Sequence, residues 1–596
     1  MEIKSGHANS QANTNEQSIG DFKFRLFALL TALISAFFLI GFQMVMMATN
    51  TIGGDIKKRM PSNDISNRKD IVDRQGRLLA TNISVNSLYA HPHEIIDKSK
   101  VITDLAKIFP DQKAEIFREK IITDKPFVWL KRTMSPNQQQ SVLDIGQPGL
   151  YFGPRKMRIF PNREIASHTL GGVRFGQERV NGAEILGTAG VELFFNDFLS
   201  KVNKGKESLQ LSLDLGVQSL IEQILEDGIK LMGARGGSAV LMDSKNGEIL
   251  SLVSFPEFDP NNRPKNLFKD NPADSPIFNR AVQGIYELGS VFKIFTVALA
   301  LDEGLVNLAT ELKTAGPLRV GGRTISDHKY FGPSLTVEEI IVKSSNIGTV
   351  RIANKIGPEL LKEFYKSLGL LEKTSLELPE TRLTIPQFPK KWKSLDAATA
   401  SYGHGIAVSP IHLAAAYSSL VNGGYKVNPT LMLKDSKGMD ETVKTPKIQV
   451  IKNVTSSMVR SLLNKVVVNG TAKDSNFGGY SVGGKTGTAE KPDPVKGGYY
   501  ENRVISTFAS VFPNFERTFE SIPLVLVFPT EPVTATSLPL YLCLEKLAKS
   551  FNALRLSLTR RYGKLVGASI GIFVTIAATA PFLIADIRKS CPSLWA

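Results

Sequence analysis

Ser290 and Lys293 stand three residues apart in the stretch Tyr286-Glu287-Leu288-Gly289-Ser290-Val291-Phe292-Lys293, and an almost unbroken apolar run, Ile294 to Leu301, follows directly. On a helix, residues three apart share a face, so the hydroxyl and the amine can touch. Gly289 supplies a tight turn into that helix and leaves Ser290 near its N-terminus. Free N–H groups and the positive end of the helix dipole favour developing negative charge there. A serine beside a lysine, on a helix buried by its own apolar run, is a nucleophile with a base at hand.

That spacing alone is not specific. Ser66-Asn-Arg-Lys69 repeats it in a polar stretch with nothing to bury it. Ser344-Ser345-Asn346 is weaker still, because Ser84-Val-Asn86 and Ser135-Pro-Asn137 match Ser-x-Asn by chance. Lys485-Thr486-Gly487, by contrast, occurs once in the chain. The three together, in this order, carry far more than any one.

The elements around them decide whether they can meet. A domain begins near Leu211, and Leu215 to Met232 carries apolar residues at helical spacing. Ser238–Asp243 and Glu248–Val253 are β-rich runs joined through Asn246-Gly247, a strong hairpin signal. Gly483–Ala489 and Val504–Phe512 form a second strand pair, connected by the loop from Lys491 to Asn502. Helical segments such as Val337–Ile356 and Ser409–Val421 lie between the pairs. Strands at both ends with helices between predict an α+β domain, one antiparallel sheet flanked by helices.

Ahead of that domain, residues 1–25 are polar and read as a cytoplasmic tail. Residues 26–47 form an apolar run of membrane-spanning length with no small-x-small cleavage site after it, as expected of an uncleaved anchor. Lys23 and Arg25 favour a cytoplasmic N-terminus against Lys57, Lys58 and Arg59 on the other side, which places the bulk of the chain outside the cytoplasm. Residues 48–210 read as a scaffold or docking domain without a nucleophile. Gln75-Gly76 signals a hairpin there, and Arg158-Ile-Phe-Pro161, His168–Gly172 and Gly187–Glu192 punctuate it with turns.

Bulk properties exclude several functions. At 596 residues the chain needs two to four domains. Its net charge of +16 is spread without an aromatic-basic repeat, which argues against a nucleic-acid partner and suits an anionic membrane surface or an acidic polymer. Cys543 and Cys591 provide neither a disulfide framework nor a CxxC metal site. His91-Pro-His93 is the sole close histidine pair and reads as a surface loop, so no metal or cofactor is expected.

The ordered triple Ser290-x-x-Lys293, Ser344-x-Asn346 and Lys485-Thr486-Gly487 is the known signature of the penicillin-binding and serine β-lactamase enzymes. Over roughly residues 20–515 the chain resembles the class B, membrane-anchored penicillin-binding protein transpeptidases. Asn279-Arg-Ala-Val-Gln-Gly284, Tyr402-Gly-His-Gly405 with Ser409-Pro410, Asp73-Arg-Gln-Gly76 and Gly187-Thr-Ala-Gly190-Val-Glu192 extend the resemblance. It implies a serine β-lactamase-like transpeptidase domain (211–515) after a membrane anchor and a pedestal, or dimerisation, domain. No glycosyltransferase-like domain intervenes, and the layout is most similar to the division-specific (FtsI-type) kind, with the elongation-specific kind the competitor.

The resemblance implies roles as well. Ser290 would attack the penultimate D-alanine carbonyl of a peptidoglycan stem peptide, with Lys293 as base, Ser344 as proton relay and Asn346 holding the substrate amide. Lys485, Thr486, Gly487 and Thr488 would line the pocket, the N–H groups of Ser290 and Thr488 forming the oxyanion hole. Expected partners are stem peptides, β-lactams, the inner membrane with the bulk of the chain periplasmic, and division proteins including a lipid II glycosyltransferase. A β-lactamase, or a β-lactam sensor or scaffold without turnover, is the competing reading. The anchor and the large preceding domain disfavour the former, and the intact triple disfavours simple loss.

Two departures stand out. Leu288 occupies the place of the family's usual proline, without removing a chemical group. Beyond about Asn514 the familiar ending is absent, and 516–596 is set apart as an atypical tail. Ile522–Phe528 can still add a strand; Leu538–Lys549, the basic Arg555–Lys564 and an apolar run from Leu565 to Ala585 follow. That tail reads as a second membrane segment or, better, as a shifted reading frame, which would put activity in question.

Overall fold

The computed structural model describes residues 27, 29–44, 68–179, 182–201, 208–264, 272–433, 448–476, 481–493 and 497–512, and the backbone of 522–529. Two units separate, Met1–Ile65 and Ser66–Ala596. In the first, residues 29–44 are helical with exposed apolar side chains, Phe37 and Phe38 among them. No helix of the described residues is long and apolar enough to cross a membrane. The ends of the expected 26–47 anchor, the decoy Ser66 and the tail from residue 530 lie outside the described residues.

In the second unit, the pedestal is a sheet around the long strand Leu78–Ala90, which pairs antiparallel with Ile71–Val72, Val128–Met134 and Leu150–Ile159. The expected Gln75-Gly76 hairpin is present, Asp73 donating its N–H to Arg77 O at 2.9 Å. Ile71–Val72 also pairs parallel with Leu209–Gln210, so the chain re-enters the sheet just before the next domain starts. Three short helices, Lys98–Ile108, Ala114–Ile121 and Pro136–Leu143, close a separate apolar core over this sheet.

The pedestal motifs that the sequence offered as turns converge. Glu192 lies between two arginines, 2.6 Å from Arg68 Nε and 2.7 Å from Arg158 Nε, all three buried. Asp73 accepts from Arg77 Nε at 2.7 Å and from Leu215 N–H at 3.1 Å, while Arg77 reaches Asp214, the cap of the Leu215–Met232 helix, at 2.9 Å. The base of the pedestal therefore holds the start of the second domain. One apolar core runs from Ile71 and Leu79 through to Phe508 and Val511.

The second domain is the expected α+β fold. Its five-stranded sheet runs Gly483–Pro492, Tyr499–Phe512, Ile522–Pro529, Gly237–Met242, Ile249–Phe255, antiparallel throughout. The two hairpins read from sequence are there, but neither touches the other. Ile522–Pro529 lies between them, pairing with Tyr499–Phe512 on one side and Gly237–Met242 on the other. The sheet thus extends past residue 515 into the segment set apart as the tail. Strands Gly237–Met242 and Ile249–Phe255 are almost wholly buried, as expected when helices cover both faces.

Candidate active site

Ser290 does not open the α-helix directly. Gly289–Phe292 form a 3₁₀ turn, and the α-helix starts at Lys293 and runs to Asp302. Gly289 has φ +63°, a conformation that glycine adopts freely, and a Cβ there would lie 2.4 Å from Thr488 O. A Cβ on Gly403 would come 2.1 Å from Gly289 O, and one on Gly487 2.3 Å from Leu288 O. Three motifs thus approach at backbone distance, with the serine turn pressed between the Lys485 strand and the Tyr402–Gly405 turn. Leu288, fully buried, has φ −101°, outside the range a proline ring permits. Tyr286 and Phe292 serve packing: Tyr286 lies against the apolar core, and Phe292 is fully buried, 5.4 Å from Phe295 and 5.8 Å from Tyr365 between ring centres.

Lys293 has its hydrogen-bond partner 51 positions further along the chain. Its Nζ donates to Ser344, to the backbone oxygen and, at 3.1 Å, to Oγ. Lys485 Nζ donates to the same Oγ at 3.0 Å and to Thr486 O at 2.9 Å. Both lysines are fully buried. Burial, then the neighbouring Lys485 charge, push Lys293 well below the ordinary lysine range, while Asp327 opposes the shift. Burial lowers Lys485 to about 7. A Lys293 shifted toward its neutral form beside a partly charged Lys485 is a base next to a local positive field.

Ser344 is placed by a break in what the sequence offered as one helix. Val337–Val342 and Asn346–Ile356 are separate helices, and Ser344 between them has φ +61°, an uncommon conformation for a side-chain-bearing residue. Asp327 holds the break open. Its carboxylate accepts from Ser345 Oγ at 2.7 Å, Asn346 N–H at 2.5 Å and Ile347 N–H at 3.1 Å. Asn346 Nδ2 donates to Ser326 O at 2.9 Å. Sequence reasoning missed Asp327, which belongs to none of the motifs and lies on a loop ahead of the helix it caps.

On the edge strand, alternation buries Lys485, Gly487 and Ala489 and turns Thr486, Thr488 and Glu490 outward. Thr486 Oγ1 is 2.7 Å from Thr471 Oγ1, a second residue that no motif signalled. Glu287 is a third. Next to the serine turn, it accepts from Gly405 N–H at 2.9 Å and Tyr499 OH at 3.0 Å, and it lies 3.5 Å from His404 Nδ1. Burial raises the Glu287 pKa and lowers that of His404. His404 is therefore a turn residue in a polar cluster. Lys293, Ser344 and Lys485 thus converge, with Ser290 on the turn that leads into Lys293 and is pressed against the Thr488 backbone, and with Asn346 and Thr486–Thr488 on the elements that frame them.

Residues 237–520 match the penicillin binding protein transpeptidase domain, and 64–231 the penicillin-binding protein dimerisation domain. The chain is 32% identical over 450 residues to a probable peptidoglycan D,D-transpeptidase FtsI of Caulobacter vibrioides, covering 75% of this chain and 73% of that one. It is 26% identical over 494 residues to the peptidoglycan D,D-transpeptidase FtsI of Escherichia coli, covering 79% and 81%. Penicillin binding protein 3 of Mycobacterium tuberculosis, solved with aztreonam, shares the fold at a TM-score of 0.61 and 22% identity, over 82% of this chain and 96% of that one.

Proposed function

The chain belongs to the class B penicillin-binding proteins and is a serine peptidoglycan D,D-transpeptidase, and from that premise we propose the role of each residue and the place where it works. Ser290 Oγ attacks the carbonyl carbon of the penultimate D-alanine while neutral Lys293 takes its proton. The N–H groups of Ser290 and Thr488 receive the oxyanion, each donor worth on the order of 3 kcal/mol. The amide bond then breaks. A proton passes through Ser344 Oγ to the departing D-alanine amine, leaving an acyl-enzyme on Ser290. The amine of a neighbouring stem peptide attacks that ester, forming the cross-link and freeing the serine.

Asn346 holds the substrate amide, and Thr486 and Thr488 hold its carboxylate beside the Lys485 charge. The edge strand Gly483–Pro492 aligns the peptide backbone by β-addition. A β-lactam acylates the same serine and leaves slowly. The observation that carries this reading is the meeting of two buried lysines at one serine oxygen, 3.1 and 3.0 Å away.

The septum is the proposed place of action, supported by the division-type names of the relatives, with residues 26–47 anchoring a periplasmic chain in the inner membrane beside a lipid II glycosyltransferase. Labelling membranes with a fluorescent penicillin tests the chemistry: a stable adduct at this mass that vanishes in Ser290→Ala is expected. Its absence in the wild type sinks the assignment, and rapid loss of the label would mark a β-lactamase. Depletion tests the place. Filamentous cells support division, whereas rounded cells would transfer the protein to elongation.

A further inference from the structure

We propose that His91, His93 and Glu94 on the pedestal form a divalent transition-metal site suited to Zn²⁺. Two imidazoles and a carboxylate are a ligand set that zinc accepts with a fourth position left open. The donor atoms of the three side chains lie within 4.8 Å of one another. Around a tetrahedral zinc, with bonds of about 2.0–2.1 Å, donors stand about 3.4 Å apart. His93 Nε2 and Glu94 Oε1 are already at 3.6 Å, so the set closes by little more than an ångström. His93, at 62% side-chain exposure, is free to rotate inward.

The turn that carries these residues is fixed rather than loose. It follows the strand Leu78–Ala90, and His91 N–H donates to Gly149 O at 2.9 Å, just before the partner strand Leu150–Ile159. Glu94 N–H donates to His91 O at 2.9 Å and closes the turn. Gly149, at φ +83°, lets the backbones approach, because a Cβ there would lie 2.9 Å from His91 O. The His91 ring is wedged among Tyr151, Tyr89 and Phe127, with ring centres 5.1, 5.7 and 6.1 Å away.

Tyr151 also does what an outer-sphere partner of a metal site does. Its OH donates to Glu94 Oε2 at 2.6 Å, fixing the carboxylate and leaving Oε1 turned toward His93. A surface ion pair between His93 and Glu94 explains one contact. It does not explain a third donor and an oriented carboxylate on one braced turn. Bound zinc would tie that turn together and add stability to the pedestal in proportion to free metal. Imidazole must be neutral to bind, so affinity falls in acid.

The test uses the full-length chain in detergent, untagged and stripped of metal, titrated with Zn²⁺ by calorimetry and with Co²⁺ by its visible absorption. One zinc per chain and a higher thermal midpoint are expected. His93→Ala, at an exposed position, should weaken binding at least about tenfold, as should Glu94→Gln, and Tyr151→Phe by about tenfold through the lost orientation. Penicillin labelling of Ser290 reports folding and should be unchanged in all three. Equal Zn²⁺ affinity in wild type and His93→Ala, or no binding at Zn²⁺ concentrations that saturate ordinary surface histidines, overturns the site.

Discussion

Two lysines buried within reach of one serine oxygen cannot both hold a full charge, and how they divide it sets the pH profile of acylation. Lys293 must be neutral to accept the Ser290 proton, and burial with the Lys485 charge lowers its pKa well below the usual lysine value. The base form therefore persists to lower pH than in an ordinary lysine and is lost as pH falls through that lowered pKa. Lys485 loses its proton near its own depressed pKa, about 7, so the field that keeps Lys293 neutral and attracts the substrate carboxylate fades above it. The rate of acylation by a chromogenic cephalosporin should be bell-shaped, its limbs belonging to the coupled pair. Lys485→Met removes the field: the acid limb should move to higher pH and the alkaline limb disappear. An acid limb that stays in place would show that Lys485 does not set the charge on Lys293. Sequence spacing offered Ser290 and Lys293 as a pair, because the motif is local. It could not foretell that Lys293 would bond to Ser344, since that contact crosses 51 positions of chain.

A helix that had to break is the element on which the site turns. The sequence offered Val337 to Ile356 as one helical segment, yet the chain leaves the helix at Lys343 and starts afresh at Asn346. The apolar pattern continues because both helices bury a face, so pattern alone cannot register the interruption. What enforces it is Asp327, which caps the second helix through two N–H groups and the Ser345 hydroxyl. Asp327→Ala should cost about 1–2 kcal/mol for the lost cap, with a further cost from leaving buried Ser345 short of a partner. Because Ser344 sits at φ +61° only while the break is held, acylation should slow by at least about tenfold, the equivalent of about 1.4 kcal/mol. Asp327→Asn keeps an acceptor and should recover part of both. Thermal melts together with the penicillin acylation rate decide it. A melt shift with unaltered acylation would make Asp327 a stabilising cap that does not position Ser344. The hairpins were legible for the opposite reason: their turns, such as Asn246-Gly247, and their alternation lie within a few residues of one another.

At the scale of the whole molecule, two features join parts that the sequence presented separately. Glu192 bridges Arg68 and Arg158 in the base of the pedestal, and Glu192→Ala would leave two buried guanidinium groups without the carboxylate between them. About 3–5 kcal/mol of destabilisation is expected, the usual cost of removing one side of a buried ion cluster. Arg68→Met with Arg158→Met in the same chain should restore part of it, as a chemical-denaturation series would show. The second feature is Ile522–Pro529. Residues 516–596 looked foreign because the familiar ending is absent, but the sheet holds Ile522–Pro529 in its middle. A chain stopped after Asn514 keeps both hairpins and every residue assigned to catalysis, yet leaves the facing edges of Tyr499–Phe512 and Gly237–Met242 unpaired. Each buried backbone group left without a partner costs about 1–3 kcal/mol, so the sheet should come apart and the Ser290-dependent penicillin adduct should vanish. A chain stopped after Pro529 restores both ladders and should retain labelling within about threefold of the full chain, about 0.7 kcal/mol on the scale of a rate. Loss of labelling in both truncations would show that the sheet also depends on the segment after Pro529. Labelling in both would show that the site holds without the central strand. Expression of the two chains in membranes, with equal amounts confirmed by antibody to the pedestal, separates these outcomes.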